Sequence, residues 1–328
     1  MAEFIIGSPL RKLAREHEPL RQFLWRLDYA LLWTLEKFLT ALPIDMSSRM
    51  GARIGGFVGP MMKRKTEIFR GNFATAFPEL NDHALDRLVR DAWARAGRIL
   101  AEYPHLAEIK DSEHRLQIEI RKRVPTYDDP SQPCVLVSAH QSNWEVAGAS
   151  LGRLKIPNAS LYTPPTNPML DRLLHKSREA LDCKLLPRDN SARLLVKALK
   201  EGRTAAMIID RRVDEGKPIR FFGQDKLTTI TPAKLALKFK CPMVPLQVIR
   251  LQDANFRVIL HAPIEPRNPD ADETEQAIDM TQQLHEQFEA WIREKPEDWF
   301  CSKRLWAKKG KIQPGSGDAV ADTGSQTS

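Results

Sequence analysis

Apolar residues are distributed along this chain in two textures. Up to about residue 106 they recur every three or four positions. From 116 to 260 they gather in runs of four to seven, separated by stretches of helical spacing. Phe23, Leu27, Leu31, Leu35, Phe38, Leu39 and Leu42 form one stripe, widened by Leu24 and Leu32 and flanked by Trp25 and Trp33. That period predicts an amphipathic helix. Two coverings suit its apolar face: the protein's own core, or a membrane interface, where tryptophan and basic residues are favoured. A second long helix is predicted over 82–106, with Leu85, Leu88, Val89, Trp93, Ala96 and Ile99 on one side. The short apolar runs predict strands at 116–120, 134–139, 159–162, 205–209, 243–249 and 256–260. Helices are predicted between them at 143–154, 168–181, 191–201 and 232–239, and a last one at 273–294. Such alternation argues an α/β fold: a central mixed, largely parallel sheet flanked by helices, preceded by an N-terminal helical membrane-associating segment.

Composition narrows the class. Of 328 residues, 42% are hydrophobic, enough for a sizeable core, and the formal net charge is +8. A basic surface attracts nucleic acid, acidic proteins or anionic headgroups without choosing among them. No nucleic-acid module such as a zinc finger or RNP sequence is present. Cys134, Cys183, Cys241 and Cys301 show no C-x-x-C spacing, which reads as reduced thiols in a cytosolic compartment. The N-terminus does not fit a cleavable signal. Arg21, Arg26, Asp28, Glu36 and Lys37 interrupt the best apolar stretch, so no uninterrupted span of about 20 residues exists. After the apolar segment 46–62 comes the basic run Lys63-Arg64-Lys65, a pairing suited to an anionic cytoplasmic leaflet. The expected organisation is membrane-associating helices over 1–62, a catalytic domain over 63–309, and a disordered Gly/Ser/Asp/Thr-rich tail over 310–328.

The sharpest motif is CVLVSAH, a buried-type strand ending on His140, followed by QSNWE and the start of a helix. Strand ends in open α/β sheets are where ligands bind. Five residues along an ideal helix turn about 500°, which would point His140 and Glu145 apart. A strand-to-helix turn between them removes that obstacle. Glu145 is then expected to accept the Nδ1–H of His140, leaving Nε2 free to take a proton from an alcohol. Backbone N–H groups of residues 141–143, at the helix start, are candidate donors to an oxyanion. The remaining histidines show no H-E-x-x-H pairing, so no metal site is expected.

With these residues in view, the chain resembles the late acyltransferases of lipid A synthesis, within the lysophospholipid acyltransferase superfamily. His140 and Glu145 match that family's histidine and acidic residue. MKRKTEIFRGNFATAFPE at 62–79 resembles its basic and Phe-Pro-Glu segment. Asn167-Pro168 with Asp171 and Arg178, KALKEGRTAAMIID at 197–210, Phe221-Phe222-Gly223, 228–232, and PEDWF at 296–300 resemble further blocks. The likeness runs from about 25 to 309, with an N-terminal segment more charged than the family's single-pass anchor.

The resemblance implies acyl transfer from an acyl-carrier-protein thioester to a hydroxyl of a lipid A precursor, at the cytoplasmic face of a bacterial inner membrane, with no cofactor. It implies His140 as general base and Glu145 as its partner. Asn143, Arg178 and Asp210 are expected to contact substrate, Arg178 at a phosphate or the carrier's phosphopantetheine. Arg193, Lys197 and Lys200 would dock the acidic carrier or else form a solvated helix face. The competing readings are another glycerolipid or glycolipid acceptor, and a basic non-catalytic protein that binds membrane or nucleic acid.

Overall fold

The computed structural model describes residues 10–187 and 191–306; the expected tail at 310–328 lies outside them. After the short α1 (Arg11–Glu16), the first apolar stripe forms α2 (Glu18–Thr40). Next come α3 (Ile44–Val58), α4 (Lys63–Ala76), α5 (Asp82–Glu102) and α6 (Leu106–Asp111). The α/β part follows: β1 (Leu116–Ile120), β2 (Val135–Ser138), α7 (Glu145–Arg153), β3 (Asn158–Tyr162), α8 (Pro168–Arg178), β4 (Cys183–Pro187), α9 (Ser191–Lys200) and β5 (Thr204–Ile208). The hairpin β6 (Lys217–Phe221) and β7 (Gln224–Thr228), then α10 (Thr231–Phe239), β8 (Met243–Arg250), β9 (Phe256–Leu260) and α11 (Glu273–Glu294) complete it.

Seven strands form one sheet in the order β1-β9-β8-β2-β5-β3-β4. Every neighbouring pair is parallel except β8 with β9. The expected mixed, largely parallel sheet is therefore present. β2 is central and buried at every position, and its alternation divides the core. Val135 and Val137 join one apolar cluster with Phe69, Phe73 and Phe288. Leu136 joins the other with Val146, Val244 and Phe256. Side chains pointing alternately to opposite faces require a covering on both, as expected of a parallel sheet.

Three strands were not anticipated. β4 is a half-exposed edge strand, and its CKLLP run is too short and mixed to show a period. β6 and β7 read as polar, KPIRF and QDKLT, yet they pair antiparallel across Phe222 and Gly223. Both turn residues have positive φ, 50° and 69°, as a tight two-residue hairpin requires. Phe222 accepts that conformation because its ring is buried against Phe77 and Trp299.

The N-terminal helices pack by small residues and leave an apolar face uncovered. A Cβ at Gly97 of α5 would collide with the carbonyl oxygen of Gly51 on α3, so these backbones meet almost directly. Along α2, Leu24 and Leu39 are buried, whereas Phe23, Leu27, Leu31, Trp33, Leu35 and Phe38 are exposed. The described part of the protein's own core therefore covers Leu24 and Leu39 and leaves most of the stripe exposed. No helix among the described residues is long and apolar enough to cross a membrane.

Candidate active site

Register brings the central pair of side chains together. β2 and β5 run parallel with Ser138 opposite Ile208. Two residues further along each chain stand His140 and Asp210, side by side at the carboxyl ends of adjacent strands. His140 Nδ1 donates to Asp210 Oδ1 at 2.5 Å. With a carboxylate holding the Nδ1 proton, Nε2 is the unprotonated nitrogen of the neutral ring. Asp210 is almost wholly buried, and its Oδ2 accepts from Trp299 Nε1 at 3.0 Å. Burial alone would raise its pKa. The electrostatic pull and hydrogen bond of the facing His140 ring, then Lys226 and Arg211, outweigh that and hold the carboxyl well below its usual range.

Lys226 supports this pair from behind. Its Nζ donates to the Asp210 carbonyl oxygen at 2.7 Å and lies 4.5 Å from the Phe221 ring centroid. Burial pushes the ammonium down to about 7, against the opposing pull of Asp210. The neighbouring His285 is also buried. Desolvation first, and then the Lys226 charge, hold its pKa well below the ordinary histidine value.

Glu145 does not take the place expected of it. Its carboxylate receives Arg178 through two hydrogen bonds, Nε at 2.9 Å and Nη2 at 2.5 Å, and the Tyr103 hydroxyl at 2.5 Å. Trp144 Nε1 donates to the same carboxylate at 3.2 Å, and the Trp144 ring stands edge-on to His140 at 5.2 Å. The indole therefore lies against both residues. The expected Nδ1 partner is corrected to Asp210, because strand register fixes Asp210 beside the ring while Glu145 opens α7 among Tyr103 and Arg178. Arg178 is occupied by Glu145 and Tyr103, which argues against a free phosphate-binding arginine. Desolvation opposes its charge, but Glu145 and Tyr103 prevail and raise its pKa.

Asn143 is also corrected. It is fully buried, its Nδ2 donates to Glu102 Oε2 at 2.9 Å, and its Oδ1 accepts from the Glu145 N–H at 3.2 Å. Both ends of the amide are used internally, which fixes the loop. Beneath it Arg250 pairs with Glu102 through two bonds, at 2.6 and 2.9 Å. Two of the three expected oxyanion donors are occupied as well. The N–H of Gln141 goes to Ala139 and that of Ser142 to Asp298. Ser142 has a positive φ of 54°, a strained turn of the kind found at functional sites.

The C-terminal stretch closes over this turn. Gln141 bridges Trp299, and the Phe300 N–H donates to the His140 carbonyl oxygen. Phe300 stacks on Trp144 at 5.3 Å. Trp299 and Phe300 were legible only as part of a family-like block, without a role. Asn72 on α4 holds the same stretch through the carbonyl oxygens of Cys301 and Lys303. Two helical turns earlier, the Lys65 ammonium approaches the Ser302 carbonyl oxygen at 3.4 Å. Burial, then Lys303, Arg64 and Arg211, lower the Lys65 pKa. The site is thus flanked by converging positive charge. Arg193, Lys197 and Lys200 lie exposed on the outer side of α9, Lys197 beside Glu201 at 3.8 Å. Among the described residues no group of three or more His, Cys, Asp or Glu is arranged to hold a metal ion.

Residues 16–308 match a family described as Bacterial lipid A biosynthesis acyltransferase. The chain belongs to that family. Among curated relatives it is similar to the Lipid A biosynthesis palmitoleoyltransferase of Escherichia coli K12, 24% identical over 59% of this chain and 62% of that protein. The chain therefore spans about three-fifths of the length of that relative. It is also similar to the Lipid A biosynthesis lauroyltransferase of the same organism, 25% identical over 56% of this chain and 58% of the relative. A further relative, the Phosphatidylinositol mannoside acyltransferase of Mycolicibacterium smegmatis, is 24% identical over 85% of this chain and 90% of its own. Membership of the lipid A acyltransferase family accounts for the pattern of blocks from the basic segment at 62–79 to PEDWF at 296–300.

Proposed function

We propose that this member of the lipid A acyltransferase family moves a fatty acyl chain from an acyl-carrier-protein thioester to a hydroxyl of a lipid A precursor, with His140 as general base oriented by Asp210. The observation that carries the reading is the Nδ1 hydrogen bond to a buried, ionised Asp210, which leaves Nε2 to accept the hydroxyl proton. The alkoxide attacks the thioester carbonyl and forms a tetrahedral adduct. Collapse expels the carrier's thiolate, which takes the proton back from Nε2. A thioester is already activated, so these steps need only proton transfer and positioning.

Asp210 stabilises the imidazolium as it forms, as the buried carboxylate does in the serine hydrolases. Glu145 acts at one remove: with Arg178 and Tyr103 it braces Trp144 and the start of α7. The converging charge of Lys65, Lys303 and Arg211 suits an anionic substrate. The exposed cations Arg193, Lys197 and Lys200 are the surface assigned to the acidic carrier. The exposed stripe of α2 is assigned to the cytoplasmic face of the inner membrane, lying in the interface and not spanning it. A second reading, a mannosylated phosphoinositide or other glycolipid acceptor, is favoured by the near full-length match to the mycobacterial relative. Mass spectrometry of the product from purified chain, acyl carrier thioester and each acceptor decides between them. An added acyl group on the lipid A precursor is expected. Acylation of the mannoside alone would install the second reading, and no transfer to either would end both.

A further inference from the structure

Away from His140, a cleft of about 210 Å³ lies between α2 and α8. Asn167 ties the two helices together: its Nδ2 donates to the Trp25 carbonyl oxygen at 3.0 Å, while its Oδ1 caps α8 at the Met169 N–H. The cleft is lined by Tyr29, Trp33, Glu36 and Lys37 from α2 and by Arg172 and Lys176 from α8. Arg172 and Lys176 are four residues apart, so their like charges face the same side of one helix and repel. Lys37 adds a third cation, 6.0 Å from the Trp33 ring centroid. Among the described residues none of the three pairs with a carboxylate, although Glu36 lines the same cleft. Meanwhile Oε2 of Glu36 is shut off from solvent and has no hydrogen-bond partner. Three cations outside any ion pair, outnumbering the one carboxylate beside them, and one orphaned acceptor in one concavity call for a ligand that brings an anion and a donor together.

The surroundings indicate what kind of ligand that is. Lys37 directly follows Glu36 and precedes Phe38, which stands about 100° round the helix on the exposed apolar side. An interfacial helix holds its flanking cations at headgroup level. The cleft also lies about 9 Å along α8 from Arg178, taking six residues from Arg172 at 1.5 Å each. We propose that this cleft is a headgroup site for a phosphorylated membrane lipid, with Lys37, Arg172 and Lys176 holding the phosphate and a hydroxyl or ammonium of the same headgroup donating to Glu36. The phosphate belongs either to the acceptor or to a bilayer phospholipid. Only the first of these sources rests on the acyltransferase reading.

The test uses the full chain and two arms. In the first, the variant Lys37→Gln/Arg172→Gln/Lys176→Gln is assayed for transfer to the phosphorylated acceptor and to its dephosphorylated form. In the second, flotation with phosphatidylcholine vesicles, with and without phosphatidylglycerol, measures binding without any chemistry. A rise in KM of about tenfold or more for the phosphorylated acceptor alone, equivalent to about 1.4 kcal/mol, assigns the site to the acceptor. A comparable loss of phosphatidylglycerol-dependent binding, with KM in detergent unchanged, assigns it to the bilayer lipid. Neutralising Lys122, Lys240 and Arg257, exposed after β1, after α10 and in β9, controls for net charge. Glu36→Ala, which removes the acceptor without adding a large apolar side chain, separates a site from general attraction. Removing a negative charge strengthens binding to an anionic surface through long-range electrostatics, whereas loss of a ligand's acceptor weakens it. Tighter vesicle binding by Glu36→Ala, or a triple variant that matches the charge control in both arms, overturns the proposal. A chain with no transferase activity that still shows the headgroup dependence keeps this site and ends the enzyme reading.

Discussion

Asp210→Asn keeps the shape of a side chain that accepts from both His140 and Trp299, but it removes the charge that stabilises an imidazolium. The expected result is a fall in kcat of about 10²-fold or more with the melting profile little changed, since a misoriented or unsupported base loses most of its effect. Glu145→Gln is expected to act differently. It weakens the Arg178 fork and loosens Trp144, so it lowers thermal stability as well as rate. Because Arg178 is left partly buried without its counter-charge, that loss is about 3 kcal/mol or more. Variants that behave the other way round would return the orienting role to Glu145. A second residue-scale prediction concerns Lys226. Its folded pKa is about 7, against 10.5 for the ordinary lysine. Between those values the unfolded chain holds a proton that the folded chain has shed. Stability from this site therefore rises with pH across that window and is lost as pH falls toward 7. Relative to Lys226→Met, the wild-type chain is expected to gain unfolding free energy from pH 7 to 10 in urea titrations. Parallel stability curves for the two would remove Lys226 from the linkage.

At the scale of elements, the sequence was most legible where one period persisted. The stripe of α2, the apolar side of α5 and the runs at β2, β8 and β9 were all placed from spacing alone. The hairpin β6–β7 was not, because its polar strands are held by burial of Phe221, Phe222 and Lys226 against distant elements. The candidate site was half legible for a related reason. His140 and Asp210 each stood out at the end of an apolar run, but which strands are neighbours is a property of sheet order. A five-residue spacing favours local pairing with Glu145, whereas the observed partner lies 70 positions away. The α3–α5 contact was not foreseen either, since glycine spacing carries no apolar signal. Gly97→Ala forces two backbones apart and is expected to cost about 1–3 kcal/mol of stability, read as a lower urea midpoint at unchanged slope. A midpoint equal to wild type would show that the helices separate freely.

The whole molecule places His140 at the end of a central strand, a clasp of C-terminal aromatics over it, and an uncovered apolar helix at its N-terminal end. Replacing Leu27, Leu31 and Leu35 with serine leaves the buried Leu24 and Leu39 in place. Each exposed leucine that enters the interface contributes up to about 1.5–3 kcal/mol. The triple variant is therefore expected to move from the membrane fraction to the soluble one while keeping its activity on detergent-dispersed acceptor. Unchanged membrane partition would assign attachment elsewhere. The proposed chemistry is tested most directly by the rate of acyl transfer from acyl-carrier-protein thioester to the lipid A precursor, measured with purified wild type and His140→Ala at matched folding. A loss of about 10²–10⁴-fold in kcat is expected for the variant; a rate near that of wild type would contradict the role of His140 as general base.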